Sequence, residues 1–230
     1  KLPPQFIFLE DSRGKKLLQK EMHILEKVKI TDIIEREVSR NAKFRDRVES
    51  ALEESPEMGG FGFISELRKM LGLNKVDESV DVIKQMLQDD DKIVVFAWHK
   101  EVATKLCQGL IDFHPLKITG ETPNAERHAH VKAFQTDPRH RILVANIQAA
   151  GVGITLTKSS RVVFVEPSWV PSDNDQAISR CHRIGQTKPV RAFYLVVKNS
   201  LDHLILNAHQ NKGAIIPMMP AVRAAMNSPS

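Results

Sequence analysis

The sequence predicts an α/β fold, a parallel sheet with helices on both faces, preceded by a helical N-terminal segment. Three observations predict it. From about residue 79, short runs rich in Val, Ile and Phe alternate with helical patterns, the order expected of strand–helix–strand units. Those runs are nearly continuous in apolar character, as strands covered on both faces must be. Before residue 79 the chain is charged, and its apolar residues recur at spacings of three, four and seven, a helical period.

Residues 1–78 open with Leu2-Pro3-Pro4 and a short apolar stretch, Phe6–Leu9. Apolar spots at Leu17, Leu18, Met22 and Leu25, then at Ile33, Ile34 and Val38, predict amphipathic helices. The run Glu57-Met58-Gly59-Gly60-Phe61-Gly62 predicts a turn that breaks them. Strands are then predicted at Ile93–Trp98, Leu116–Thr119, Ile142–Asn146, Val162–Val165 and Ala192–Val197. Helices are expected between them near Val80–Leu87, Glu101–Leu110, Asn124–Phe134 and Asp173–Arg183. A last helix over Leu201–Gln210 would place Leu201, Leu204, Ile205 and Ala208 on one face. After Gly213 no period remains. The chain therefore divides into residues 1–78, 79–212 and a loose tail, 213–230.

The 230 residues are 42% hydrophobic and 27% charged, the balance of a globular chain. No apolar run approaches the roughly 20 residues of a membrane-spanning helix, so no membrane partner is expected. The first residue is Lys1 and no charged-then-apolar leader follows it, which predicts a piece of a longer protein. Two cysteines, Cys107 and Cys181, are too few for a disulfide scaffold and fit reduced thiols. Nine histidines show no metal-ligand spacing, and His128 and His130 would point to different sides of a helix. No metal site is predicted. The net charge of +5 is a mild invitation to polyanions.

In sheets of this kind ligands bind beyond the carboxyl ends of the strands, here the loops after Trp98, Thr119, Asn146 and Val165. Ala149–Thr157 carries Gly151 and Gly153 directly after a strand, where glycines permit close backbone approach to a phosphate or ribose. A dinucleotide fingerprint fails, because position 156 is Leu156. The same run also reads as a tight strand-to-helix turn. Thr119-Gly120-Glu121-Thr122-Pro123 reads either as a phosphate-facing loop or as a turn with Pro123 near a helix start. In a continued helix, Gln176, Arg180 and Arg183 would share one face, two guanidinium forks and an amide suited to phosphate oxygens. From Gln176 to Arg191 there are four cations and no carboxylate; a solvated basic face is the plain alternative. There is no G-x-x-x-x-G-K-[ST] loop.

These residues resemble a family. Arg180-Cys-His-Arg-Ile-Gly-Gln186 resembles the R-x-H-R-I-G-Q signature, the sixth motif of Swi/Snf-type DNA translocases of helicase superfamily two. Ala149–Thr157 is similar to the fifth motif, Glu166-Pro-Ser-Trp169-Val-Pro171 to the stretch between the two, and Lys92–His99 to the fourth. Ile118-Thr-Gly120, Glu126-Arg127 and Phe134-Gln135 resemble the segment that follows the fourth motif. The resemblance covers roughly residues 75–212. The run Asn146-Ile-Gln148-Ala-Ala150-Gly151 departs from the common Ser-Thr-Arg-Ala-Gly-Gly and is more similar to the annealing-helicase-related and prokaryotic or phage branch. The helices of residues 12–57 match no common core and are identified as an insertion.

The resemblance implies a RecA-like fold and the C-terminal motor lobe of a DNA-dependent ATPase that moves on double-stranded DNA. ATP, with Mg²⁺, would be the substrate, and the Mg²⁺ ligands and P-loop would belong to an N-terminal RecA-like partner lobe. Arg180 and Arg183 would be the catalytic arginines; Gln176, Gly151 and Gly153 would adjoin the nucleotide. His99, Lys100, Thr119, Gly120 and Asn146 would face double-stranded or branched DNA. This chain alone would be inactive, and the parent intracellular: nuclear in a eukaryote, cytoplasmic or nucleoid-bound in a prokaryote or phage. The rivals are a non-catalytic module gripping nucleic-acid phosphates and a structural regulator. Arginines meeting ATP should lie beside Gly151–Gly153, without internal carboxylate partners. Arginines gripping DNA should be continuous with His99, Lys100 and Thr119.

Overall fold

The computed structural model describes residues 5–9, 59–87, 92–150, 153–197 and 200–210. They fall into two compact units, one holding residues 5–9 and 72–197, the other residues 59–71 and 200–210. The predicted helices of residues 12–57, Gly151 and the 213–230 tail lie outside the described residues.

The first unit is built on six strands: β1 (Gln5–Leu9), β2 (Lys92–Ala97), β3 (Leu116–Ile118), β4 (Ile142–Asn146), β5 (Ser159–Phe164) and β6 (Arg191–Val197). They lie side by side in the order β1-β6-β5-β2-β4-β3, and every pairing is parallel. The α/β sheet predicted from the apolar runs is therefore present. The apolar stretch at Phe6–Leu9, assigned on sequence to the leading segment, is instead its edge strand, with Ile7 opposite Leu195.

Helices α1 (Gly59–Asn74), α2 (Val76–Met86), α3 (Lys100–Gly109), α4 (Asn124–Thr136), the four-residue α5 (Ile147–Ala150), α6 (Pro171–Ser179) and α7 (Leu201–Gln210) follow in chain order. Gly59–Gly62, predicted as a break, are the first turn of α1. A glycine costs roughly 1 kcal/mol in a helix interior, but first-turn amides are outside the i→i−4 ladder, so the residues that follow secure the helix. α6 stops at Ser179, four residues short of the predicted Arg183.

On one sheet face Ile93, Val95, Val144, Val163 and Leu195 pack with Val80 and Ile83 of α2 and Val102 and Leu106 of α3. On the other, Phe6, Tyr194, Phe164 and Phe96 stack in register across four strands, with ring centroids 5.5, 4.7 and 5.3 Å apart. Each such pair adds about 0.5–1.5 kcal/mol beyond burial. Cations close the helix ends: Lys92 Nζ donates to the carbonyls of Phe134, Asp137 and His140 at 2.6, 2.6 and 3.0 Å. Burial pulls its ammonium below the ordinary lysine value. Arg161 and Arg141 donate to the carbonyls of Met86 and Leu87 at the end of α2, where the helix dipole favours positive charge. No helix among the described residues is long and apolar enough to cross a membrane.

Candidate nucleotide and nucleic-acid site

The sequence-derived site residues collect at two ends of the sheet. At the carboxyl end, β2 runs out at Ala97 and α3 begins at Lys100 with His99 as its N-cap. Glu166, two residues past β5 and 1% exposed, reaches across. Its Oε2 accepts the amides of Trp98 and His99 at 3.0 and 2.9 Å, and its Oε1 lies 2.6 Å from His99 Nδ1. Asn146, the last residue of β4, donates from Nδ2 to the carbonyls of Trp98 and Ala97 at 2.7 and 3.3 Å. His99 Nε2 and Asn146 Oδ1 are buried and make no hydrogen bond among the described residues. Asn146 itself is buried, so its amide serves the loop rather than an open surface.

Lys100 is exposed and ion-paired to Glu121, whose carboxyl that bond and the ammonium charge hold below its ordinary value. Thr119 is buried: its amide donates to Thr122 Oγ1 at 2.9 Å, and Thr122 N returns to the Thr119 carbonyl at 3.1 Å. Arg127 adds long contacts of 3.4 Å to the carbonyls of Thr119 and Thr122. Gly120 is exposed with open space around it. Pro123 is the N-cap of α4, so the stretch is a turn leading into a helix start, with Gly120 and Glu121 at its outer rim.

The arginines stand elsewhere. Arg180 is the C-cap of α6, and its carbonyl accepts the Leu156 amide at 2.8 Å. That oxygen is thereby diverted from the next helical turn. The Arg180 and Cys181 amides bond three residues back, to Ala177 and Ile178, so the regular helix that would put Gln176, Arg180 and Arg183 on one face stops at Ser179. Arg180 is 6% exposed, and burial followed by the charge of Arg183 lowers its pKa from the ordinary arginine value. Arg183 lies in the exposed turn beyond, with Nη1 donating to Thr155 Oγ1 at 3.1 Å. Gly185, at φ +98°, lets that turn reverse. Gln186 then pins it, donating from Nε2 to the carbonyls of Thr157, Ser159 and Cys181 at 3.0, 2.8 and 3.3 Å.

Ser159 is the first residue of β5, so this turn is fixed at the amino end of the sheet. His99, Thr119 and Asn146 sit at the carboxyl end, about one strand length away, on the order of 20 Å. Thr155, Arg183, Gln186, Thr187 and Lys188 border an open cleft of about 850 Å³ with no carboxylate in its lining. Gly153, at φ +44° with open space where a side chain would be, precedes Thr155 by two residues. Gln176 is exposed on α6. Cationic forks and hydroxyls without carboxylates suit a polyphosphate. Among the described residues no group of three or more His, Cys, Asp or Glu is placed to hold a metal ion. Glu166 and Gln186 organise these two ends, and both lie inside segments that the motif comparison had already marked.

An all-parallel sheet in the order β1-β6-β5-β2-β4-β3, flanked by helices, is a RecA-like α/β lobe. The helicase conserved C-terminal domain model matches residues 75–185. The chain is 36% identical over 157 residues to the DNA annealing helicase and endonuclease ZRANB3 of Bos taurus, covering 67% of this chain and 15% of that protein. It is 35% identical over 136 residues to the SWI/SNF-related matrix-associated actin-dependent regulator of chromatin subfamily A-like protein 1 of Drosophila melanogaster, covering 58% and 18%. Its fold matches the C-terminal part of the Fun30 ATPase domain with a TM-score of 0.56 at 27% identity, over 64% of this chain and 51% of that one. It also matches the Sulfolobus solfataricus SWI2/SNF2 ATPase core in complex with dsDNA, TM-score 0.61, over 80% and 44%; at 21% identity this likeness concerns the fold alone. The chain belongs to the Swi/Snf-type helicases of superfamily two and carries their C-terminal RecA-like lobe. It spans less than a fifth of the length of these curated relatives.

Proposed function

We propose that residues 79–212, with the edge strand Gln5–Leu9, are the second motor lobe of an ATP-hydrolysing translocase on double-stranded or branched DNA. Residues 1–78 otherwise serve as link and inserted helices, and 213–230 as a tail. The observation that carries the reading is Arg183: exposed, oriented by Thr155, in a carboxylate-free cleft well away from the carboxyl-end loops. That is where an arginine answering to ATP, rather than to DNA, belongs. Arg183 meets the γ-phosphate and Arg180 is the second cation beneath it. Gln176, Gly151 and Gly153 border the nucleotide. An arginine of this kind contributes ~10³–10⁵ in rate to phosphoryl transfer, roughly 4–7 kcal/mol of barrier. Mg²⁺ belongs to the lobe carrying the P-loop, since no carboxylate lines this cleft.

DNA lies at the other end, on Lys100 and the rim at Gly120, with the inward-turned His99, Thr119 and Asn146 holding the loops behind them. Contacts there go to phosphates, so affinity falls steeply with salt. Such a protein works where its DNA is, the nucleus of a eukaryote or the nucleoid of a prokaryote or phage. The chain alone does not turn over ATP. The test is DNA-stimulated ATP hydrolysis by this chain joined to the lobe that carries the P-loop, native against Arg183→Ala. A fall of orders of magnitude is expected. Unchanged hydrolysis removes Arg183 from catalysis. No hydrolysis, with salt-sensitive DNA binding retained, favours the non-catalytic module.

A further inference from the structure

We infer that Glu166 is the positioning residue of the DNA-facing end: its carboxylate fixes the amino end of α3 through the inward-turned His99, so that Lys100 reaches duplex phosphate only while it stays in place. The inference rests on the reading above that the carboxyl-end loops meet DNA.

The Trp98 and His99 amides precede the first turn of α3 and belong to no strand pairing. Glu166 supplies an acceptor for both and engages the His99 ring with its other oxygen. Burying a carboxylate is costly unless it is hydrogen-bonded, and here the α3 dipole adds to two amide donors and the imidazole. With Asn146 Nδ2 on the Trp98 carbonyl, the Trp98 residue is held through its N–H from β5 and its C=O from β4. Three loops are thereby tied at the residue before His99. Room for the carboxylate is made by Gly72: a methyl group there would meet Glu166 Oε1 at 2.5 Å, its Cδ at 2.8 Å and Val102 Cγ2 of α3 at 2.9 Å.

A positioning role and simple electrostatics predict opposite signs. Removing a negative charge next to bound DNA should tighten binding, whereas losing the scaffold that presents Lys100 should weaken it. The experiment titrates this chain against a fluorescently labelled blunt duplex at several salt concentrations, with folding followed by circular dichroism. Glu166→Ala is expected to bind about tenfold more weakly, the size of one charged hydrogen bond. Its log Kd against log salt slope should fall by about one. Glu166→Gln, which keeps an oxygen for the amides, should recover most of the affinity. Gly72→Ala crowds the carboxylate and Val102 of α3 without changing any charge, and in its folded form should reproduce the weakening even if Glu166→Ala does not fold. Native or tighter binding by folded Glu166→Ala, or native binding by Gly72→Ala, overturns the inference. Lys100→Ala separates the two claims: if it leaves affinity and slope unchanged, the DNA reading itself fails. If it weakens binding while folded Glu166→Ala does not, only the positioning role falls.

Discussion

Arg183 Nη1 donates to Thr155 Oγ1 at 3.1 Å, joining the turn after α6 to the loop that leads into β5. The bond leaves the rest of the guanidinium facing the open cleft. Orientation by a neutral hydroxyl preserves the full charge for an incoming anion, where a carboxylate would cancel it.

In the complete motor, Thr155→Val should lower kcat of DNA-stimulated ATP hydrolysis by about fivefold, the worth of one exposed hydrogen bond. Arg183→Lys should be nearly as impaired as Arg183→Ala, because an ammonium has no planar fork to share between Thr155 and a phosphate. Thermal unfolding of both variants should match the native chain, since Arg183 is exposed. Steady-state kinetics beside a melting curve checks all three statements.

Lys100 and Glu121 are paired on the surface, so on the proposed reading Glu121 competes with DNA for Lys100. Glu121→Gln frees the ammonium and removes a repelling charge. Duplex affinity should rise a few-fold at low salt and converge on the native value as salt screens the difference. Fluorescence anisotropy at low and high salt reads this directly.

Gly109 is the last residue of α3, and a Cβ there would meet Val80 Cγ2 at 2.7 Å. Helix propensity alone predicts that Gly109→Ala stabilises by about 1 kcal/mol. Overpacking α2 against α3 predicts a loss of about 1–3 kcal/mol instead. The close contact is buried and should win, so the midpoint in urea should fall.

Burial pushes the Cys181 thiol up to about 12 and the Cys107 thiol, chiefly by burial as well, to about 11. An unfolded thiol titrates near ~8.5, so the folded state holds more protons above that pH. Stability is therefore complete below pH ~8.5 and declines as pH rises towards 12. The limiting slope is about 1.4 kcal/mol per pH unit for each thiol. Urea midpoints at neutral and alkaline pH should diverge, and Cys181→Ala should flatten the decline. Native Cys181 should also resist thiol reagents at neutral pH, because the thiolate is the reactive form.

The core strands were legible because parallel strands covered on both faces need no polar alternation. Ile93–Trp98 and Ile142–Asn146 announce themselves as apolar runs of strand length. The helix predicted near Val80–Leu87 is likewise present as α2, with Asp77 and Glu78 in its first turn. The motif residues of both ends were also legible, since residue type and order along the chain are sequence properties.

Three things were decided only by tertiary structure. Gln5–Leu9 became a strand because β6, almost 190 residues later, offers it an edge, and pairing over such a separation leaves no local period. The turn after α6 was fixed where it is when the Leu156 amide bonded the Arg180 carbonyl and Gln186 reached the carbonyls of Thr157 and Ser159; nothing in Cys181, His182 and Arg183 announces those partners. Glu166 came to hold His99 because two loops 67 residues apart in the chain meet at the sheet's carboxyl end. The sequence by itself determined the five strands β2 to β6 and which side chains bear charge. Hydrogen bonds between distant segments decided which of those charges face a ligand and which hold the scaffold, because a backbone carbonyl or amide is committed only when its partner arrives in space.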